Sequence, residues 1–246
     1  MKNKIVIYTA IFGGCDDLIE PKFIPDNCDF VCFTDSDFKS DVWDVRKVTP
    51  VYEQPVRNSR YYKTKPHIYL SEYEISIWMD GTFVLEKDIN DLIHKYLSDA
   101  NMACFNHINT DIDKLNSVYQ QADYIFHLGK INSQRDPSKG ISAYKDDPKL
   151  IEKQIEKYKK EGFPDDKGLV ISGVLFRRHN EKDVVAVMEE WWKEIKYHSH
   201  ICQISLPYAF WKHNFKWNWI DGDIRNHSYF PHGGKHTFKT VKKGFG

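Results

Sequence analysis

Residues 75–81 read ISIWMDG. The run from Ile75 to Met79 is short, β-rich and apolar on both faces, as a strand covered on both sides of a sheet reads. An acid, Asp80, follows at once, and then Gly81. In an open α/β sheet, ligands bind beyond the carboxyl ends of the strands. Asp80 therefore stands where one carboxylate can hold Mg²⁺ or Mn²⁺ while phosphates and water complete the shell. Gly81 would let a ligand approach the backbone. A plain strand-to-turn Asp-Gly explains the same residues, and on this segment alone both readings stand.

Outward from this strand, the chain alternates. Residues 4–11 (KIVIYTAI) and 29–34 (DFVCFT) read as strands, residues 42–48 as a third, and 102–105 as a fifth. Residues 169–176 (LVISGVLF) are the strongest late strand. Helices are expected at 57–73, broken or restarted at Pro66, and at 88–97 behind an acidic first turn. Others are expected at 112–126, at 149–160 with Gly162 as a stop, at 181–196 behind Asn180 as N-cap, and at 203–213. Strands alternating with helices imply an α/β fold with a mostly parallel sheet. Polar, turn-rich residues 127–147 read as a surface loop or lid between a first half, 1–110, and a second, 148–246.

Composition narrows the function classes. Among 246 residues, Lys plus Arg and Asp plus Glu each number 35, so the formal charge is zero. That balance argues against a nucleic-acid or membrane-surface binder. Five cysteines without a C-x-x-C pair suit a reducing compartment. No apolar run approaches spanning length, and the first strand is too short for a signal peptide. A cytoplasmic protein without an integral membrane segment, free or bound at the inner face of a membrane, is the expectation.

Further chemistry-bearing residues surround Asp80 in the sequence. Arg57, Arg60, Lys63, Lys65 and His67 form a stretch without one acid, and the three-residue spacing of the first three puts them on one helical face. Such a face can neutralise a diphosphate, or simply be solvated. Thr9, Ala10, Phe12 and Gly13 leave the first strand, where paired glycines make room for a nucleotide or a tight turn. Asp35 ends the second strand and could accept from a base or ribose, or cap a turn. Among His107, His179, His227, His232 and His236, none has a metal-motif spacing; a late one, His232, could join Asp80 on a metal. His107 and Asp111 are the candidate general bases. The tail from His232 carries Lys235, Lys239, Lys242 and Lys243 without an acid, as a free end or a flap over phosphate. No G-x-S-x-G elbow or phosphate-cradling loop is present.

Six motifs recur in order: YTAIFGG-x-DD, FVCFTD, R-x-x-R-x-x-K-x-x-PH, SIWMDG, GL-x(5)-LFRRHN and QISLPYAFWK. Together, over roughly residues 5–213, they resemble a glycosyltransferase-like domain. It is shared by bacterial polysaccharide-locus proteins and plant Golgi mucilage-synthesis proteins, some described as ceramidases. The resemblance implies a single glycosyltransferase-A-like domain and a nucleotide-sugar donor, a UDP-sugar first. It also implies a glycan or lipid-linked acceptor and Mn²⁺ or Mg²⁺. By that resemblance Thr9, Ala10 and Gly13 form the nucleotide-side turn, and Arg60, Lys63 and His67 lie on the basic helix. Asp80-Gly81-Thr82 takes the DxD-like position with one carboxylate. Ser172, Gly173, Cys202 and Gln203 fall on the acceptor side. The family's Arg-Asp-Gln reads Ile201-Cys202-Gln203 here, without the acid. His232-Gly233-Gly234-Lys235 is similar to the late His-x-x-Gly-x-x-Lys motif of sugar transferases, at a different spacing. A non-catalytic nucleotide-sugar or glycan-binding module is the alternative, and a hydrolase a weaker third.

Overall fold

The computed structural model describes residues 4–111 and 114–234. Its strands are β1 (Ile5–Ile11), β2 (Cys28–Thr34), β3 (Asp44–Lys47), β4 (Ile75–Met79), β5 (Met102–Asn106), β6 (Val170–Arg177) and β7 (Asn218–Ile220). They form one sheet in the order β3-β2-β1-β4-β6-β5-β7. Neighbours from β3 to β4 are parallel, β6 is antiparallel to both β4 and β5, and β7 is parallel to β5. Six strands thus run one way and β6 alone runs against them. The fold is α/β with a mostly parallel central sheet, as expected.

Among the described residues seven α-helices flank this sheet: α1 (Pro55–Thr64), α2 (Pro66–Tyr69), α3 (Asn90–Tyr96), α4 (Val118–Arg135), α5 (Pro148–Lys160), α6 (Lys182–Tyr197) and α7 (Cys202–Lys212). The pleat of β1 divides the core. Val6, Tyr8 and Ala10 join Trp191 of α6 and Leu206 of α7 on one face. Ile5, Ile7 and Ile11 join Ile93 of α3 on the other. A third cluster packs Ile125, Ile151 and Tyr208 where α4, α5 and α7 meet.

Three expectations need correction. Residues 127–147 are no lid loop: α4 runs on to Arg135, and a 3₁₀ segment spans Pro137–Ala143. Gly129 is a packing site. A Cβ there would stand 2.0 Å from the Tyr144 ring, so only glycine fits. The preceding helix correspondingly begins at Val118 rather than 112, behind Ser117, whose hydroxyl accepts from the Gln120 N–H at 3.1 Å. Asn180 does not cap α6. Its amide donates to the carbonyls of Ser71 and Tyr73, and Glu181 holds the N-cap position without a side-chain bond. Pro66 restarts the helix as expected, separating α1 from α2. The edge strand β7, three residues long, has no sequence expectation to match.

Candidate active site

The chain goes from β1 to β2 on one side, then crosses back from β3 to β4 on the other. The crevice beyond the carboxyl ends of β1 and β4 is therefore a topological switch point, where open α/β sheets place their ligands. A cavity of about 550 Å³ opens there. Ala10, Ile11 and Phe12 from the end of β1, Asp80, Gly81 and Thr82 after β4, and Arg60 of α1 line it. Ser172 and Gly173 of β6 and Cys202 and Gln203 at the start of α7 close another wall, with His107 and His232.

A bulge delivers the β6 residues. Between β5 and β6 the register jumps from Cys104↔Leu175 to Phe105↔Ile171, so the residues between fall outside regular pairing with β5. The Gly173 carbonyl accepts the Asp80 N–H at 2.8 Å. A Cβ on Gly173 would lie 2.7 Å from the Phe83 ring and 3.7 Å from Asp80 Oδ2, so glycine is required by contact.

Asp80 sits in a cage of donors. Its Oδ1 accepts from Trp78 Nε1 at 2.7 Å and Lys63 Nζ at 3.1 Å, with Arg60 Nη1 at 3.5 Å. Its side chain keeps 29% exposure. Burial works to raise its pKa, but Lys63, Arg60 and the Trp78 N–H together hold the carboxyl below its usual range. Lys63 is fully buried, and its ammonium also donates to Ser172 Oγ at 3.2 Å. Burial drives its pKa down, opposed chiefly by Asp80.

Beneath it, the buried Arg177 donates to the Lys63 carbonyl at 2.7 Å and to the Tyr8 hydroxyl. Tyr8 in turn donates to the same carbonyl at 2.9 Å. Desolvation pushes the Tyr8 phenol up to about 12, so it stays neutral. The Lys63 backbone is thus clamped from below while its ammonium reaches Asp80 above.

The expected residues divide. Ala10, Phe12, Arg60, Asp80, Gly81, Thr82, His107, Ser172, Gly173, Cys202, Gln203 and His232 all face one cavity. Thr9, Gly13, Asp35, Lys63, His67 and Asp111 do not line it. Lys63 acts through Asp80. Asp35 accepts from the Gly13 N–H, with Oδ1 and Oδ2 at 3.0 and 3.1 Å, and so fixes that turn at φ +65°. His67 faces α6 and meets Glu189 at 2.9 Å. Asp111 is exposed, its N–H on Asp223 Oδ2 at 3.1 Å. Arg57 leaves the expected basic face and donates to the carbonyls of Ile195 and His198 at the end of α6. Lys235 and the other tail lysines lie outside the described residues. Sequence reasoning missed Asp16, Ser59, Lys145, His200 and Arg225, which reach the same cavity from unrelated segments that share no local motif. Lys145 Nζ donates to Gln203 Oε1 at 3.4 Å, and burial followed by Arg60 lowers its pKa.

Among the described residues, no group of three His, Cys, Asp or Glu side chains gathers to hold a metal ion. No helix among them is long and apolar enough to cross a membrane.

No family model matches the chain, and no curated protein matches it. Solved structures do. The glycosyltransferase GlyE of Streptococcus pneumoniae TIGR4 aligns over 92% of this chain and 47% of its own, at 8% identity and TM-score 0.47. The mannosyltransferase Ktr4p of S. cerevisiae aligns over 85% and 66%, at 11% identity and TM-score 0.41. A glycosyltransferase involved in the glycosylation of the major capsid of PBCV-1 aligns over 94% of both chains, at 10% identity and TM-score 0.43. The chain thus spans about half the length of the first of these. Likeness at these scores carries no conclusion about the reaction.

Proposed function

We propose that the chain is a glycosyltransferase that binds a nucleotide-sugar donor in the cavity beyond β1 and β4. One observation carries this reading. Arg60, Lys145 and Arg225 line that cavity against the carboxylates Asp80 and Asp16, with the buried Lys63 paired to Asp80 behind it, an excess of cations in a chain whose total charge is zero. Cations gathered in a concave, partly buried site favour an anionic ligand, and a diphosphate matches them. As the glycosidic bond breaks, charge grows on the departing diphosphate, and fixed cations stabilise it without reorganising.

A divalent ion would have two side chains to hold it at the same site. Asp80 Oδ1 is committed to its three donors, whereas Oδ2 has no donor among the described residues and faces the Gly173 cradle. His232 shares the cavity, its ring 4.4 Å from that of Phe83. Asp80 Oδ2 and His232 are the side chains that would hold it. One carboxylate and one imidazole suit Mn²⁺ better than Mg²⁺. Such an ion would neutralise the diphosphate further. Phe12 and Ala10 line the apolar side, where the nucleoside end of the donor belongs.

The test is a panel of nucleotide sugars, UDP-sugars first, with and without Mn²⁺. Thermal shift and nucleoside diphosphate release are followed together. Nucleoside diphosphate release should require a nucleotide sugar and fall by roughly 10²–10³-fold in Asp80→Asn, the size expected for one lost electrostatic contact. Silence toward every nucleotide sugar would overturn the reading. Binding without transfer to any acceptor would make the chain a nucleotide-sugar-binding module, which the acid-free Ile201-Cys202-Gln203 segment favours.

A further inference from the structure

His200 lines the cavity two residues before α7, beside Cys202 and Gln203. Its Nδ1 lies 2.9 Å from Asp146 Oδ2. Asp146 is held in place from two more sides: its Oδ2 accepts from Ser199 Oγ at 2.7 Å and from the His200 N–H at 2.8 Å. The Asp146 side chain is only 7% exposed. Burial alone would raise its pKa. The His200 ring, the Ser199 hydroxyl and the backbone N–H reverse that and hold it well below the usual carboxylate range. An ionised carboxylate on Nδ1 selects the tautomer that carries its proton there and leaves the lone pair on Nε2. Nε2 has no partner among the described residues. Nδ1 makes no hydrogen bond in this geometry; catalytic hydrogen bonds commonly form fully only once substrate is bound.

The other candidate bases are less suited. Asp80 carries two cations and a Trp78 N–H on one oxygen, which lowers its basicity. Asp111 lies outside the cavity. His107 reaches it but is only 3% exposed.

We propose that His200 is the general base that accepts the proton of the acceptor hydroxyl, with Asp146 as its positioning residue. This rests on the glycosyltransferase reading above. The hydroxyl oxygen forms a bond to the anomeric carbon while the bond from that carbon to the diphosphate oxygen breaks. The electron pair leaves on the nucleoside diphosphate, beside Arg60 and Lys145. The proton passes to His200 Nε2 and then to solvent. A single displacement of this kind inverts the anomeric configuration.

The experiment uses the full chain with a donor identified by the nucleotide panel. It compares His200→Gln and Asp146→Asn with the wild type in kcat for transfer, in Kd for the nucleoside diphosphate and in thermal midpoint. The anomeric configuration of the product is read by proton NMR. Expected is a fall in kcat of roughly 10²–10⁴-fold for His200→Gln, the usual worth of a general base, with Kd unchanged. Asp146→Asn should also lower kcat without moving Kd, since an amide favours the wrong tautomer. Inverted product is expected. A His200→Gln enzyme with wild-type kcat, or a product with retained configuration, overturns the proposal. The configuration decides even if the variants fail to fold. If the wild type binds no nucleotide sugar, the glycosyltransferase reading fails first and takes this one with it. Wild-type transfer with an unaffected variant sinks this proposal alone.

Discussion

Asp80, which lines the cavity, keeps one oxygen for two cations and an indole N–H, while the other has no donor among the described residues. The pair with Lys63 is costly to break, because the ammonium left behind is fully buried. Asp80→Ala should therefore lose about 1–3 kcal/mol of stability in urea titrations, whereas Asp80→Asn, which keeps an oxygen for Trp78, should lose less. His179 offers a pH signature. It is fully buried, contacting the Leu70 carbonyl at 2.9 Å, and burial followed by Arg177 outweighs that contact and lowers its pKa to about 4. An unfolded histidine titrates near 6.5. The unfolded chain then binds the extra proton first, so stability is full above pH 6.5 and drains away toward pH 4. Between pH 7 and pH 5 the loss should be about 2 kcal/mol. Urea midpoints measured across that range check it, and His179→Gln should flatten the slope.

At the level of elements, the site depends on how segments end. Helix α4 starts behind Ser117, which is buried and caps it through the Gln120 N–H. Ser117→Ala should cost about 1 kcal/mol, measurable by chemical denaturation, with nucleotide affinity unchanged because α4 lies outside the cavity. The β6 bulge behaves differently. Gly173→Ala forces a Cβ against Phe83, whose ring neighbours His232. Overpacking of this kind costs about 1–3 kcal/mol. Because the strain falls on the cavity wall, donor Kd measured by calorimetry should rise about tenfold for each 1.4 kcal/mol that reaches the bound state.

For the whole molecule, a ligand that bridges β1, β4, β6, α1 and α7 should stabilise all of them together. At a donor concentration one hundred times Kd the gain is about 2.7 kcal/mol. In a domain of this size that raises Tm by about 5–10 °C, read by scanning calorimetry with and without donor. Apolar runs and their periods are local properties, so the strands and most helices could be read directly from the chain. ISIWM had to be a covered strand, and Asp80 had to stand at its carboxyl end. The parallel sheet followed from the alternation of strand and helix signals. The sequence could not place Gly129 or Asn180, because each makes its decisive contact, with Tyr144 or with the Ser71 and Tyr73 carbonyls, only after distant segments meet. The basic stretch before Asp80 shows the same divide. Its charges are local, but α6 claims Arg57 and His67, while the cavity keeps Arg60 and, through Asp80, Lys63. The cation excess and the His200–Asp146 pair were invisible for the same reason. Charges from segments scores of residues apart converge only when the crossover from β3 to β4 and the reversed strand β6 bring them around one crevice.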